Sequence, residues 1–339
     1  MNKPKLGIIQ ILSLGYESVV RAAWVLLIPV LLDIFFWLGP RLSVRTLFER
    51  LVVLMARNGP PGQEFQQNFS DVRTFLSELG SSLNLFALLA TDFIGFRFLP
   101  VPSLKGFELA TSVPAGAATP FTAQVNAVLP VDNLVVAVFL SLILLVLGLL
   151  IGALYLTLIA DRVRLAVRPL RSLPLRVLLL WLRLLAFVAL LSLFFLIAGV
   201  PFFFVVGIGM VINAGLGVVL LVGGWLLSFW LLLYLWFAAY AMIIDGVGIL
   251  RAIWYSANVV QRNLLATFGL ILLSNLIASG MIVLWQLFEG SWYGDLIAIV
   301  GNAFIGSGLV AAAFVFYQDR LRAWQEGAAP SKLPVPRRT

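Results

Sequence analysis

The residues able to do chemistry in this 339-residue chain are few, and most are carboxylates, amides and hydroxyls set in or beside long apolar runs. Asp33 lies well inside the first of those runs, about two turns from its far end. A charge at the centre of a bilayer costs ~3 kcal/mol or more, so an acid there is a candidate proton or cation site. The competing expectation is a carboxylate that reaches external water or caps the loop beyond. Asp245, Ser256, Asn263, Ser274, Asn275, Asp319 and Arg320 complete the candidate set. Ser274 belongs to a stripe with Thr267, Ala278 and Met281 along one helical face, bounded by Asn263 and Trp285. Such a stripe lines a pathway or, in its commoner use, hydrogen-bonds a neighbouring helix.

What is missing narrows the chemistry further. The chain has no His and no Cys, which removes the commonest metal ligand and proton shuttle along with disulfides. It has no Walker A sequence, no glycine-rich dinucleotide fingerprint and no metal-ligand cluster. A paired-aspartate protease is disfavoured by position, because Asp245 and Asp295 fall at opposite ends of apolar runs. The expectation is therefore a protein that is not an enzyme and takes no cofactor or metal. The formal charge of +8 is topological in this reading, so nucleic acid is not an expected partner and membrane lipids are.

The elements that must position these residues are membrane spans. The chain is 62% hydrophobic and 11% charged, against roughly 25% charged in soluble proteins. From Leu184 to Ile244 no Asp, Glu, Lys or Arg occurs. A bilayer core of about 30 Å needs ~20 residues of helix, so that run holds two spans. Asn213-Ala214-Gly215 is its strongest turn signal.

The expected fold class is an all-α integral membrane protein of six transmembrane helices, with cytoplasmic amphipathic helices and one long external segment. Residues 1–21 form an amphipathic segment lying in the interface, with Gln10, Ser13, Glu17 and Arg21 on its polar face. The spans are 22–39 (kinked at Pro29), 134–160, 176–212 (kinked near Pro201), 216–244, 263–288 and 295–318. The external segment, 40–133, reads as helices over 42–57 and 70–90, the latter capped by Ser70, and then as loop beyond Gly95, where prolines recur. Gly148-x-x-x-Gly152 would let a neighbouring helix approach closely or is simply a glycine pair in an apolar helix. Residues 161–175 form an Arg-rich loop, 245–262 a second amphipathic helix and 319–339 a tail. Arg162, Arg164, Arg168, Arg171, Arg176 and Arg183 stand against the single Asp161, which marks the cytoplasmic side. A multi-pass cell-membrane protein with both termini cytoplasmic satisfies that rule at every short loop.

Asp245-Gly246, Ala252-Ile253, Ser256 and Asn263 form a pattern: an acidic-Gly pair, a short helix and an Asn opening a span. With Tyr317, Asp319, Arg320, Arg322, Glu326 and Gly327, in looser spacing, it resembles the membrane domain that accompanies some bacterial glycerophosphodiester phosphodiesterases. Similar stand-alone membrane proteins share it. The resemblance covers about residues 240–327 and the six-span plan, and it implies an all-helical membrane module, not an activity, because the catalytic domain is absent. Asp245 and Ser256 would cap the second amphipathic helix, Asn263 would bond the backbone at its bend, and Asp319 would pair with Arg320 or Arg251. The expected function is a non-catalytic, membrane-embedded binding or assembly module for lipid or a membrane protein partner. The alternative is a transporter or permease component with a site between helical hairpins.

Overall fold

Inside a bilayer every backbone N–H and C=O must be satisfied within the chain, so long apolar runs become helices. The computed structural model describes residues 5–58, 63–90, 128–164, 169–288 and 291–328, and it is an all-α membrane protein. Among the described residues, five helices are long and apolar enough to cross a membrane. They are α5 (Leu134–Val163), α6 (Leu173–Ile212), the pair α7 (Ala214–Leu235) and α8 (Ala238–Ile244), α10 (Leu264–Gln286) and α11 (Trp292–Ala328). A sixth crossing is present if α1 (Ile8–Val20) and the segment Ala23–Leu38 count as one span, although the two meet at 89°. That segment is a 3-10 turn, Ala23–Leu26, followed by α2 (Leu27–Leu38). The bend lies at Arg21-Ala22, not at Pro29, which sits in the first turn of α2 where its missing N–H has no helical acceptor to satisfy.

One face of α1 packs along α11. Ile11 is fully buried, and a Cβ on Gly15 would stand 2.5 Å from the backbone nitrogen of Ala312. One turn away the Tyr16 ring rests on Gly308 and lies 5.6 Å from the ring of Phe304. An amphipathic period cannot distinguish a lipid surface from a protein one.

Beyond α2 the chain makes β1 (Arg41–Ser43), α3 (Arg45–Asn58), α4 (Gln63–Ser82), a 3-10 turn at Leu85–Leu89 and β2 (Val128–Pro130). β1 and β2 pair in parallel, Leu42 opposite Leu129. The expected helix 42–57 thus begins as a strand, and the expected helix 70–90 starts earlier and ends at Ser82. Ser70 is no cap; its carbonyl accepts from Thr74 inside α4. The proline-rich stretch beyond Gly95 lies outside the described residues up to β2, as do Arg168, Glu289 and the end of the tail. Asn84 closes this region: its Oδ1 accepts from Leu42 N at 3.0 Å and from Phe86 N at 3.2 Å. The turn that follows presses on α5, and a Cβ on Gly148 would collide with the backbone of Leu88 and Leu89. Gly148 therefore admits a turn, not a helix. A small apolar cluster of Leu42, Val44, Val131, Ala137 and Leu144 sits here.

α6 runs unbroken through Pro201 for 40 residues, about 60 Å at 1.5 Å per residue. Asn213 ends it and caps α7, its Oδ1 accepting from Gly215 N at 2.7 Å. The expected span 216–244 is one candidate crossing, Ala214–Ile244, with a turn inside it at Trp236-Phe237, and the expected tail is helical as far as Ala328. α9 (Ile249–Arg262) links α8 to α10. The main core lies where α1, α8, α9 and α11 meet, with Phe237 stacked on Phe316 at 5.4 Å and Tyr240 edge-on to Phe314 at 4.7 Å.

Candidate functional site

Most of the polar residues singled out by sequence gather at one end of the bundle. Ser256 is fully buried on α9, and its hydroxyl donates to Tyr234 O at 2.6 Å and accepts from Phe237 N at 2.9 Å. It satisfies the backbone groups freed at the α7–α8 break, not the end of its own helix. Asp245 does not cap that helix either; the N-cap is Gly248, without a side-chain bond. The Asp245 carboxylate accepts from the Tyr317 hydroxyl at 2.6 Å, which brings the two halves of the resemblance pattern together across 72 residues of chain. Burial raises the Asp245 carboxyl above the usual carboxylate range, with the Tyr317 hydrogen bond and the charge of Arg164 opposing.

The ends of the described chain meet in the same place. Lys5 Nζ donates to Asn263 Oδ1 at 2.8 Å, while Asn263 Nδ2 donates to Val259 O at 2.9 Å, the backbone contact expected at that bend. Asp319 pairs with Arg320 at 3.0 Å and not with Arg251. Arg320 is buried, its Nη2 donates to Leu6 O at 2.9 Å, and its guanidinium lies 5.1 Å over the Phe316 ring. Arg162 stands over Trp24 and Arg262 over Trp324. The N-terminal helix, the end of α5, the start of α10 and the end of α11 thus share one Arg-rich end.

Two concavities open there. One is a groove of about 470 Å³ between α1 and the C-terminal ends of α5 and α11, lined by Glu17, Arg21, Arg162, Arg322 and Glu326 together with Leu14 and Val315. Within it, Arg21 and Glu17 pair one turn apart at 2.5 Å. The other is a smaller cavity between α5, α6 and α8, walled by arginines. No protein-family model, curated protein or solved structure matches this chain.

The remaining candidates stand apart. Asp33 is buried on α2. Ser274 and Thr267 are fully buried on α10, and among the described residues neither hydroxyl has a hydrogen-bond partner, so the expected interhelical bonds are not made. Asn275 donates to Ile271 O in its own helix at 3.1 Å. Among the described residues no group of three His, Cys, Asp or Glu side chains converges as a metal site. Sequence reasoning missed Glu17, Arg322 and Glu326 as neighbours, because only the seating of α1 on α11 brings them together. The arginines of the first basic loop are visible in sequence, where the positive-inside rule accounts for them.

Proposed function

We propose that this chain is a non-catalytic, membrane-embedded binding module of a bacterial cell membrane, with both termini cytoplasmic, that holds phospholipid at its Arg-rich end. The observation that carries the reading is the groove of about 470 Å³. Its volume falls within the ~300–1,000 Å³ of small-molecule sites. Its lining mixes Arg21, Arg162 and Arg322 with Glu17 and Glu326 above apolar Leu14, Val163 and Val315. A zwitterionic headgroup offers the complement, with a phosphate for the guanidinium forks, an amine for the carboxylates and a glycerol-ester stem for the aliphatic wall. The resemblance to stand-alone membrane domains points the same way, toward a module without its own reaction.

Thermal unfolding in nanodiscs tests this. Phosphatidylethanolamine discs should raise Tm by several degrees over discs of an uncharged glycolipid, and the triple substitution Glu17→Gln, Arg322→Gln, Glu326→Gln should remove that difference. Equal Tm values in the two lipids for the unsubstituted chain contradict the reading. The transporter alternative has one observation in its favour, the buried Asp33. Solute uptake by proteoliposomes that disappears in Asp33→Asn, with the fold intact, would replace the module with a transporter.

A further inference from the structure

The second concavity has a different composition. Arg164, the C-cap of α5, and Arg176 and Arg183, two turns apart on α6, line a cavity of about 140 Å³ together with Thr157 and Met242. None of its lining residues borders the larger groove. One acid, Asp161, belongs to the wall, and a second, Asp245, acts on Arg164 from nearby. Arg176 and Arg183 therefore share this wall with one lining carboxylate, Asp161, at the edge of an apolar bundle.

The donors are in excess. Nη1 of Arg176 meets both oxygens of Asp161 at 2.8 Å, while its Nε is buried and makes no hydrogen bond among the described residues. Arg183 Nη1 donates to Gly246 O at 2.8 Å, and Arg164 Nη2 makes a long contact of 3.4 Å to Ile243 O. Each guanidinium carries five N–H groups in a planar fork, so Arg176 and Arg183 hold more donors than these bonds use. A tie between α5 and α6 needs only the Arg176–Asp161 pair. The additional two arginines turned onto one small space are what a tetrahedral oxyanion requires, since a phosphate accepts bidentate bonds from several forks at once. At about 30 Å³ of liquid volume per water, the cavity has room for such a group.

We infer that this cavity is a phosphate-binding site, taking either the phosphate of an anionic lipid headgroup or a free phosphate, with Arg164, Arg176 and Arg183 as its ligands. Asp161 competes with the anion for Arg176 and sets the affinity. Because this site and the groove share no residue, either can fail without the other.

The full chain in a non-ionic detergent would be titrated calorimetrically with inorganic phosphate and, separately, with dihexanoyl phosphatidylglycerol. Binding of the lipid alone assigns the site to a headgroup, and binding of inorganic phosphate assigns it to a solute. In either case the double substitution Arg164→Gln, Arg183→Gln should weaken binding at least tenfold while leaving the Arg176–Asp161 pair in place. Asp161→Asn should tighten binding several-fold by releasing Arg176. The opposite signs guard against misfolding, since a damaged protein would lose affinity in both variants. No binding of either probe, or affinities that the double substitution leaves unchanged or Asp161→Asn lowers, would overturn the inference.

Discussion

Two helix pairs in this molecule are built from the same materials and put to different uses. Where α1 meets α11, glycine brings backbone onto backbone, Gly15 against Ala312, and polar groups of Leu6, Asp319 and Arg320 close the end of the contact. Where α6 meets α7, glycines 209, 217 and 224 face mainly the side chains of Leu220, Met210 and Phe202, with the Met210 backbone nitrogen 2.9 Å from a Cβ on Gly217. Beyond that seam the hairpin turns its large residues outward, with Phe204 70% and Val211 88% exposed. The first pair is a fixed joint that positions charged groups, whereas the second leaves large apolar side chains exposed. Glycines dot both pairs in sequence and do not by themselves separate the two, whereas charge does: Leu184 to Ile244 has none, and the joint carries Glu17, Asp319 and Arg320.

Substitutions can break this contrast in graded steps. The largest effect belongs to Gly15→Val, because a side chain there must displace the Ala312 backbone instead of a flexible tip. Overpacking of that kind costs about 3 kcal/mol or more, and thermal unfolding should show a large fall in Tm. Ser256→Ala comes next. It removes the one side chain that bonds both Tyr234 O and Phe237 N at the α7–α8 break, leaving buried backbone unsatisfied at about 2 kcal/mol. Tyr317→Phe should cost less, about 1.5 kcal/mol, the loss of one hydrogen bond to a charged group.

That last variant carries a pH signature. The Asp245 carboxyl is raised by burial, so the folded chain keeps its proton to higher pH than the unfolded chain does. The resulting stability is present below the ordinary carboxyl range and falls as pH rises through the raised folded value. Tyr317→Phe, by removing a bond that favours the carboxylate, should steepen the fall, and Asp245→Asn should abolish it in Tm measured against pH. The smallest effect is expected in the hairpin. Nothing lies within 4 Å of a Cβ on Gly199, so Gly199→Ala should be neutral or stabilising by under about 1 kcal/mol. A large loss there would show that the hairpin is a joint as well.

The sequence makes the helical class and the turn at Asn213 legible, because charge-free length and an Asn-Ala-Gly break are local signals. The α7–α8 interruption is not legible. Leu-Trp-Phe-Ala-Ala contains no breaker, and the residue that stabilises the break sits 19 positions later at Ser256. Pro201 lies within a continuous helix, so a proline does not by itself mark a helix end. For the site, Asp245, Asn263, Asp319 and Arg320 can be picked out, but their partners Tyr317, Lys5 and Leu6 come from distant chain. The arginines at 164, 176 and 183 were explained fully by the positive-inside rule, which left no residual signal for a cavity.

Native mass spectrometry of the protein extracted gently from its own membrane tests most directly whether the Arg-rich end holds lipid specifically and the hairpin does not. Phospholipid-mass adducts at a fixed stoichiometry are expected on the unsubstituted chain and on Gly199→Ala, and they should be depleted in the Glu17→Gln, Arg322→Gln, Glu326→Gln variant. A bare chain, or adducts that survive the triple substitution undiminished, would contradict the account.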